Sequence, residues 1–97
     1  MVKENEQIYK YLDAYGMSKM WIGYNYLATA IAFGIQNPQS YLKEIYSHTA
    51  AVYNVEPTQV SGAIRYAVKT SDATTLLDDK PKAFIKNACF KLSAEME

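Results

Sequence analysis

Cysteine is all but missing from this chain: Cys89 is the only one in 97 residues, so no disulfide can form within it. Histidine is equally scarce. His48 stands alone between Ser47 and Thr49, with no set of His, Cys and carboxylates at ligand spacing around it. No metal is expected, and His48 reads as a structural or surface residue. Also missing are a glycine-rich nucleotide loop and a nucleophile elbow. Cys89 has no histidine near it in sequence and reads as a small packed hydrophobe between Ala88 and Phe90. The acidic step Asp78-Asp79 reads as support for the helix that follows it, not as an acid–base pair. Neither an enzyme nor a cofactor is expected. No charged-then-apolar leader is seen, and the charge-free stretch from Met20 to Tyr41 is broken by Tyr24, Asn25, Thr29, Gln36, Asn37 and Pro38. That pattern excludes a membrane span, and a cytoplasmic location is expected.

Net charge is absent too, with ten Lys and Arg set against ten Asp and Glu. Phosphate contacts supply most of the affinity of nucleic-acid binders, which therefore usually carry a basic excess. The even balance leans against DNA until it is mapped along the chain. At 49% hydrophobic and 21% charged, the composition is that of an ordinary globular chain, and the length suits one domain, residues 1–97, with a modest core.

What is present is helical periodicity, with no alternation long enough for a sheet. Ile8, Leu12 and Tyr15 form a short stripe ending near Gly16. Met20, Trp21, Tyr24, Leu27, Ala28 and Ile31 form a longer one ending near Gly34. Both glycines are expected to be left-handed caps. Asn37-Pro38 predicts a helix start, with Asn as N-cap and Pro in the first position. The helix that follows should turn Tyr41, Leu42, Ile45, Thr49, Val52 and Tyr53 to one side. Glu56-Pro57 opens a further helix with Val60, Ala63, Ile64, Ala67 and Val68 inward. Ser71 is expected to cap a short turn around Leu76 and Leu77. Pro81 opens the last helix, with Phe84, Ile85, Ala88 and Leu92 inward. The sum is a compact all-α bundle of five to six helices.

Two of these helices, over about 38–53 and 57–70, are joined by Asn54-Val55-Glu56, the local layout of a helix-turn-helix. The second has a close-packing inner face of Val and Ala. Its outer face carries Thr58, Gln59, Ser61, Gly62, Arg65, Tyr66 and Lys69, several of which can bond to base edges or phosphates.

Three blocks of sequence resemble a known family. Gly23-Tyr24-Asn25-Tyr26-Leu27 with Ala30-Ile31 is similar to its G-Y-x-Y-L-x-x-A-I helix. Lys43, Tyr46, Ala50 and Tyr53-Asn54, then Val60, Ala63-Ile64-Arg65 and Ala67, resemble its helix-turn-helix with recognition motif V-x-x-A-I-R-x-A. Lys80-Pro81, Phe84-Ile85 and Lys91-Leu92 resemble its closing helix. The family is the C-terminal effector domain of the sporulation initiation response regulator (stage zero sporulation protein A), and the likeness runs over about residues 16–92. It implies a six-helix DNA-binding domain that sets its fourth helix in the major groove, usually as a tandem dimer. By this resemblance Thr58 falls on a base-contacting Ser and Arg65 on an Arg of the recognition helix, while Gln59 replaces a basic residue. An acidic residue and an Arg, the family's two main base readers, align with Ser61 and Gly62, which cannot make the same contacts. The segment before the last helix is shorter than in the family, where it helps contact RNA polymerase, so no activator role carries over. No receiver domain is present in these 97 residues.

The expected function is therefore a DNA-binding domain of a transcriptional regulator. Thr58, Gln59, Ser61, Arg65 and Lys69 are expected to face double-stranded DNA, with Lys43 near the backbone. Within 38–70 lie Lys43, Arg65 and Lys69 against Glu44 and Glu56, a net of +1. Most of the acid lies elsewhere, so the balance predicts a weak grip by one copy and a need for a homodimer, a related regulator or a second domain. The alternative is a protein-interaction or dimerisation module that keeps the fold without specific DNA reading. The nine tyrosines favour it, since they cannot all be core, and the first helix, with Tyr9 and Tyr11 on different sides, is the expected exposed aromatic edge.

Overall fold

The longest apolar stripe becomes the hub. In the computed structural model of the chain, which describes residues 2–71 and 80–95, helix α2 (Ile22–Gln36) touches each of the other helices: α1 (Val2–Ala14), α3 (Leu42–Tyr53), α4 (Pro57–Thr70) and α5 (Pro81–Glu95). Among the described residues there is no strand, so the fold is an all-α bundle. The expected turn around Leu76 and Leu77, and the pair Asp78-Asp79, lie outside the described residues.

The core forms where the stripes meet. Ile8 and Leu12 of α1, Leu27 and Ile31 of α2, Ile45 of α3, Val60 and Ile64 of α4, and Phe84 and Ile85 of α5 are fully buried. Each such side chain contributes about 1.5–3 kcal/mol of transfer free energy. The inward faces predicted for the last two helices stand, Ala63 alone being only partly buried. Thr49 is buried as well, and its hydroxyl donates to the Ile45 carbonyl at 2.9 Å, so it adds no unpaired polar group to the core.

Three local expectations are corrected. Gly16 does adopt the left-handed conformation (φ 75°) just beyond α1, but Gly34 lies inside α2, which runs on to Gln36. Gly34 is buried against α5, where a Cβ would lie 2.5 Å from Cys89 Sγ. Asn37-Pro38 ends α2 instead of starting α3. The Asn37 N–H and side-chain Nδ2 both donate to the Phe33 carbonyl, at 2.9 and 3.0 Å, and Pro38 takes the other place proline favours, just after a helix end. The helix-turn-helix therefore begins at Leu42, where Glu44 accepts the Tyr41 N–H at 2.7 Å. Finally, Tyr41 (77% exposed) and Val52 (54%) stand outside the core, because the inward face of α3 is Ile45, Thr49 and Ala50.

Four of the nine tyrosines, Tyr11, Tyr15, Tyr24 and Tyr53, are tied down at their hydroxyls. Tyr24 donates to Asp13 Oδ1 at 3.0 Å, and Tyr53 donates to the Asn25 carbonyl at 3.2 Å. Burial, with the Asp13 carboxylate beside it, pushes the Tyr24 phenol well above the usual range. Tyr9 stacks on Tyr24 and Tyr11 lies edge-on to Phe84, so α1 is not the principal aromatic edge. The most exposed aromatics are Phe90 (80%), Tyr41 and Tyr66 (59%). Cys89 is buried as expected, which pushes its thiol up to about 11.

Candidate nucleic-acid interface

The turn between α3 and α4 is built by one residue in an unusual conformation. Asn54 sits in the left-handed region (φ 57°, ψ 49°), which Asn tolerates better than most residues. Its N–H bonds back to the Ala51 carbonyl at 3.3 Å, and the Val55 N–H to the Ala50 carbonyl at 2.9 Å. That pair of bonds is a Schellman closure, and Val55 completes it by packing on the core. Three residues later Pro57 opens α4 in the first position, where its missing N–H costs nothing.

Close packing against α2 sets the position of α4. Gly23 lies on α4 so tightly that a Cβ there would land on the Ala63 carbonyl oxygen and 2.9 Å from the Ala67 Cβ. Trp21 meets Tyr66 edge-to-face, with ring centroids 5.8 Å apart, on the same flank. With Val60, Ile64, Ala67 and Val68 buried, the opposite side of α4 is turned outward.

Along the middle of that side, between Ser61 on one flank and Gln59 and Tyr66 on the other, runs a narrow stripe. At 3.6 residues per turn, Thr58, Gly62, Arg65 and Lys69 fall within about 60° of one another, directly opposite the buried face. All four are exposed. The stripe spans roughly 16 Å along the axis. Its middle is bare, since a Cβ on Gly62 would meet nothing within 4 Å.

The remaining expected contact residues are placed differently. Ser61 is half-buried on one flank. Gln59 is exposed on the other flank, and its Oε1 accepts the Glu56 N–H at 2.9 Å, tying the side chain to the start of its own helix. Bidentate pairing with adenine uses that oxygen together with the amide NH2. Lys43 is exposed in the first turn of α3. It shares a flank with Tyr46, three residues on, whose phenol is raised by burial and partly offset by the nearby Arg65 guanidinium. The Arg65 guanidinium on α4 is thus near enough to α3 for Tyr46 to feel its charge. Arg65 is also the only arginine in the chain, a signal that was open to counting.

Cations outside the unit gather at α5, where Lys80, Lys82, Lys86 and Lys91 face a single acid, Glu95, among the described residues. Lys86 reaches across to donate to the Ser40 carbonyl at 2.6 Å, joining α5 to the turn before α3. His48 stacks on Phe33 (4.3 Å) beside a shallow cleft of about 400 Å³ that Tyr9, Thr29 and Tyr53 also line. The cleft lies on the side of α2 away from Gly23 and holds no Asp, Glu, Lys or Arg. Among the described residues no group of three or more His, Cys, Asp or Glu is gathered as a metal site would need, and no helix is long and apolar enough to cross a membrane.

Compared with known proteins, the chain matches the family model described as the C terminal of the sporulation initiation factor Spo0A, over residues 8–89. The match takes in α2, α3 and α4 whole, with residues 8–14 of α1 and 81–89 of α5. This is a family of DNA-binding effector domains of a sporulation regulator and not a family of enzymes. No curated protein and no solved structure matches the chain significantly.

Proposed function

This chain belongs to the family of Spo0A C-terminal domains of sporulation initiation factors, and from that membership we propose that residues 1–97 act as the DNA-binding domain of a transcriptional regulator. In this reading α4 enters the major groove and α3 lies across the phosphate backbone. The observation that carries it is the outward stripe Thr58–Gly62–Arg65–Lys69, on a helix whose other face is core and which lies wholly inside the family match.

Each side chain then has a task set by its length and charge. Thr58 is short and can read only a base edge that comes close. Arg65 is long, planar and always charged, suited to guanine or to a phosphate. Lys69 and Lys43 are point charges for phosphates, with Ser61 and the free amide of Gln59 at the margins. Three cations releasing counterions give a dependence of log K on log salt of about −3, shallow for a specific binder. Affinity of one copy is correspondingly low, and a second copy or a related regulator on an adjacent half-site supplies the rest.

The test is fluorescence anisotropy with mixed-sequence duplex at low and raised salt, followed by selection of bound sequences from random duplex. Salt-sensitive binding and a recovered consensus are expected. No salt-sensitive binding at any protein concentration sinks the reading. In that case the interaction or dimerisation module is favoured, for which the exposed Tyr66 and Phe90 speak, and the light-scattering mass should rise with concentration.

A further inference from the structure

Helices α1 and α3 both pack on α2 but hardly on each other. A strip of α2 is left uncovered between them, and the small side chains of Ala28 and Ala32, one turn apart, keep it open. This is the cleft of about 400 Å³ on the side of α2 away from Gly23, a volume typical of small-molecule sites. Its walls are aromatic, and each is held in place by its own partner. Tyr9 stacks on Tyr24, with centroids 5.8 Å apart. Tyr53 donates to the Asn25 carbonyl and meets Tyr26 edge-on at 4.9 Å. Phe33 and His48 stack on each other, 4.3 Å apart and 21° from parallel. Walls set in advance lower the ordering cost of binding. Polar groups lie among them. The Thr29 hydroxyl is 3.0 Å from that of Tyr53. Asn37 uses its Nδ2 on the Phe33 carbonyl, which leaves Oδ1 as an acceptor, and the exposed Gln36 adds an amide donor and acceptor.

We propose that this cleft binds an uncharged, flat nitrogen heterocycle of purine size, as a free base or a nucleoside. Three features of the lining select that class. Aromatic walls favour a flat ring, which stacks on them at little entropic cost. The amides of Asn37 and Gln36 suit a ring edge that carries both donors and acceptors, the way such side chains pair with adenine, whereas a plain hydrocarbon would leave them unpaired. Among the described residues the lining holds no Asp, Glu, Lys or Arg, so a phosphate or an ammonium group finds no counter-charge there. His48 gains a task by this assignment: stacked on Phe33, it widens the platform for the ring. The site stands apart from the DNA-binding reading, since it lies across α2 from the seat of α4 and shares no residue with the outward stripe.

The experiment titrates the full chain with adenine, adenosine and adenosine monophosphate, followed by ¹H–¹⁵N correlation spectra. Adenine and adenosine should shift resonances within residues 28–37 and 48–53, with a Kd on the order of 0.1–1 mM. The monophosphate should bind about fivefold more weakly or worse. Ala32→Leu fills the cleft and should abolish the shifts. His48→Ala removes one exposed ring and should weaken adenosine about tenfold. Thermal melts check that each variant folds, and H48A carries the comparison if A32L does not. The proposal is overturned if neither adenine nor adenosine shifts the cleft residues at millimolar concentration, or if the shifts fall elsewhere. It is overturned equally if H48A binds adenosine as tightly as wild type, or if the monophosphate binds as well as the nucleoside. None of these outcomes bears on duplex binding by α4, which is measured separately.

Discussion

Gly23 of α2 supports the Ala63 carbonyl of α4 with no room for even a methyl group between them. The helix that carries the outward stripe is thus seated by backbone contact, and its distance from the hub of the fold is set by the absence of a side chain. Gly23→Ala must push α4 outward or bend α2, since a helical carbonyl cannot rotate away. We expect a loss of about 1–3 kcal/mol in urea denaturation, the usual cost of overpacking, and weaker DNA binding because Arg65 and Thr58 move with α4. A variant as stable as wild type contradicts the contact.

Gln59 presents a choice between two roles. Its Oε1 is bonded to the Glu56 N–H at the start of α4, so Gln59→Ala should cost about 0.5–1 kcal/mol of stability as a lost helix-terminal bond. Gln59→Glu keeps that acceptor and places negative charge where the helix dipole favours it, so stability should return to wild type or above. If Q59E instead abolishes recognition of the selected duplex while keeping the fold, the amide reads DNA.

Asn54 holds the turn in the left-handed region. Asn54→Gly should be neutral or slightly stabilising, while Asn54→Ala should lose about 1 kcal/mol, because Cβ crowds the following carbonyl there. Chemical denaturation of the two variants side by side is the check, and equal stabilities would falsify the strain argument.

Arg65→Ala should remove about one unit from the salt slope and weaken binding to the selected duplex roughly tenfold or more, measured by anisotropy over a series of salt concentrations. Arg65→Lys keeps the charge and so the slope, but loses the planar fork and with it base preference. An unchanged slope in R65A places Arg65 away from the duplex.

Stability should fall in alkali. The folded Cys89 thiol is pushed up to about 11 by burial, above its ordinary value of 9.0. A raised folded pKa means that the unfolded chain loses its proton first, so the contribution is whole below pH 9 and is lost as pH rises from there toward 11. Tyr24 adds to the same trend at the upper end. Urea midpoints at pH 8 and 10.5 should differ more for wild type than for Cys89→Ala; equal differences remove the thiol from the account.

Much of this was legible in local sequence. Gly16 ended α1, Glu56-Pro57 and Pro81 opened α4 and α5, and the inward sets Val60/Ile64/Ala67/Val68 and Phe84/Ile85/Ala88/Leu92 were plain from spacing. The same local signals misled where a residue type serves two purposes. Asn37 can cap the helix behind it or the one ahead, and only its bonds to the Phe33 carbonyl decide. Gly34 can end a helix or admit a neighbour, and only Cys89 decides. Gln59 offered an amide for adenine, but its oxygen is held by its own backbone.

By itself, then, the sequence determined an all-α bundle and a helix-turn-helix with one polar and one apolar face. Caps, turns and the 3.6-residue period act between near neighbours, so residues close in the chain specify them. Only the tertiary structure decided that Gly62 stands in open space while Gly23 and Gly34 are pressed against other helices, and that the aromatic edge is Phe90, Tyr41 and Tyr66 instead of α1. Those facts depend on which helix packs on which. Close packing between residues distant in sequence leaves no periodic trace, because a small residue is spelled the same way whether it admits a neighbour or merely lacks one.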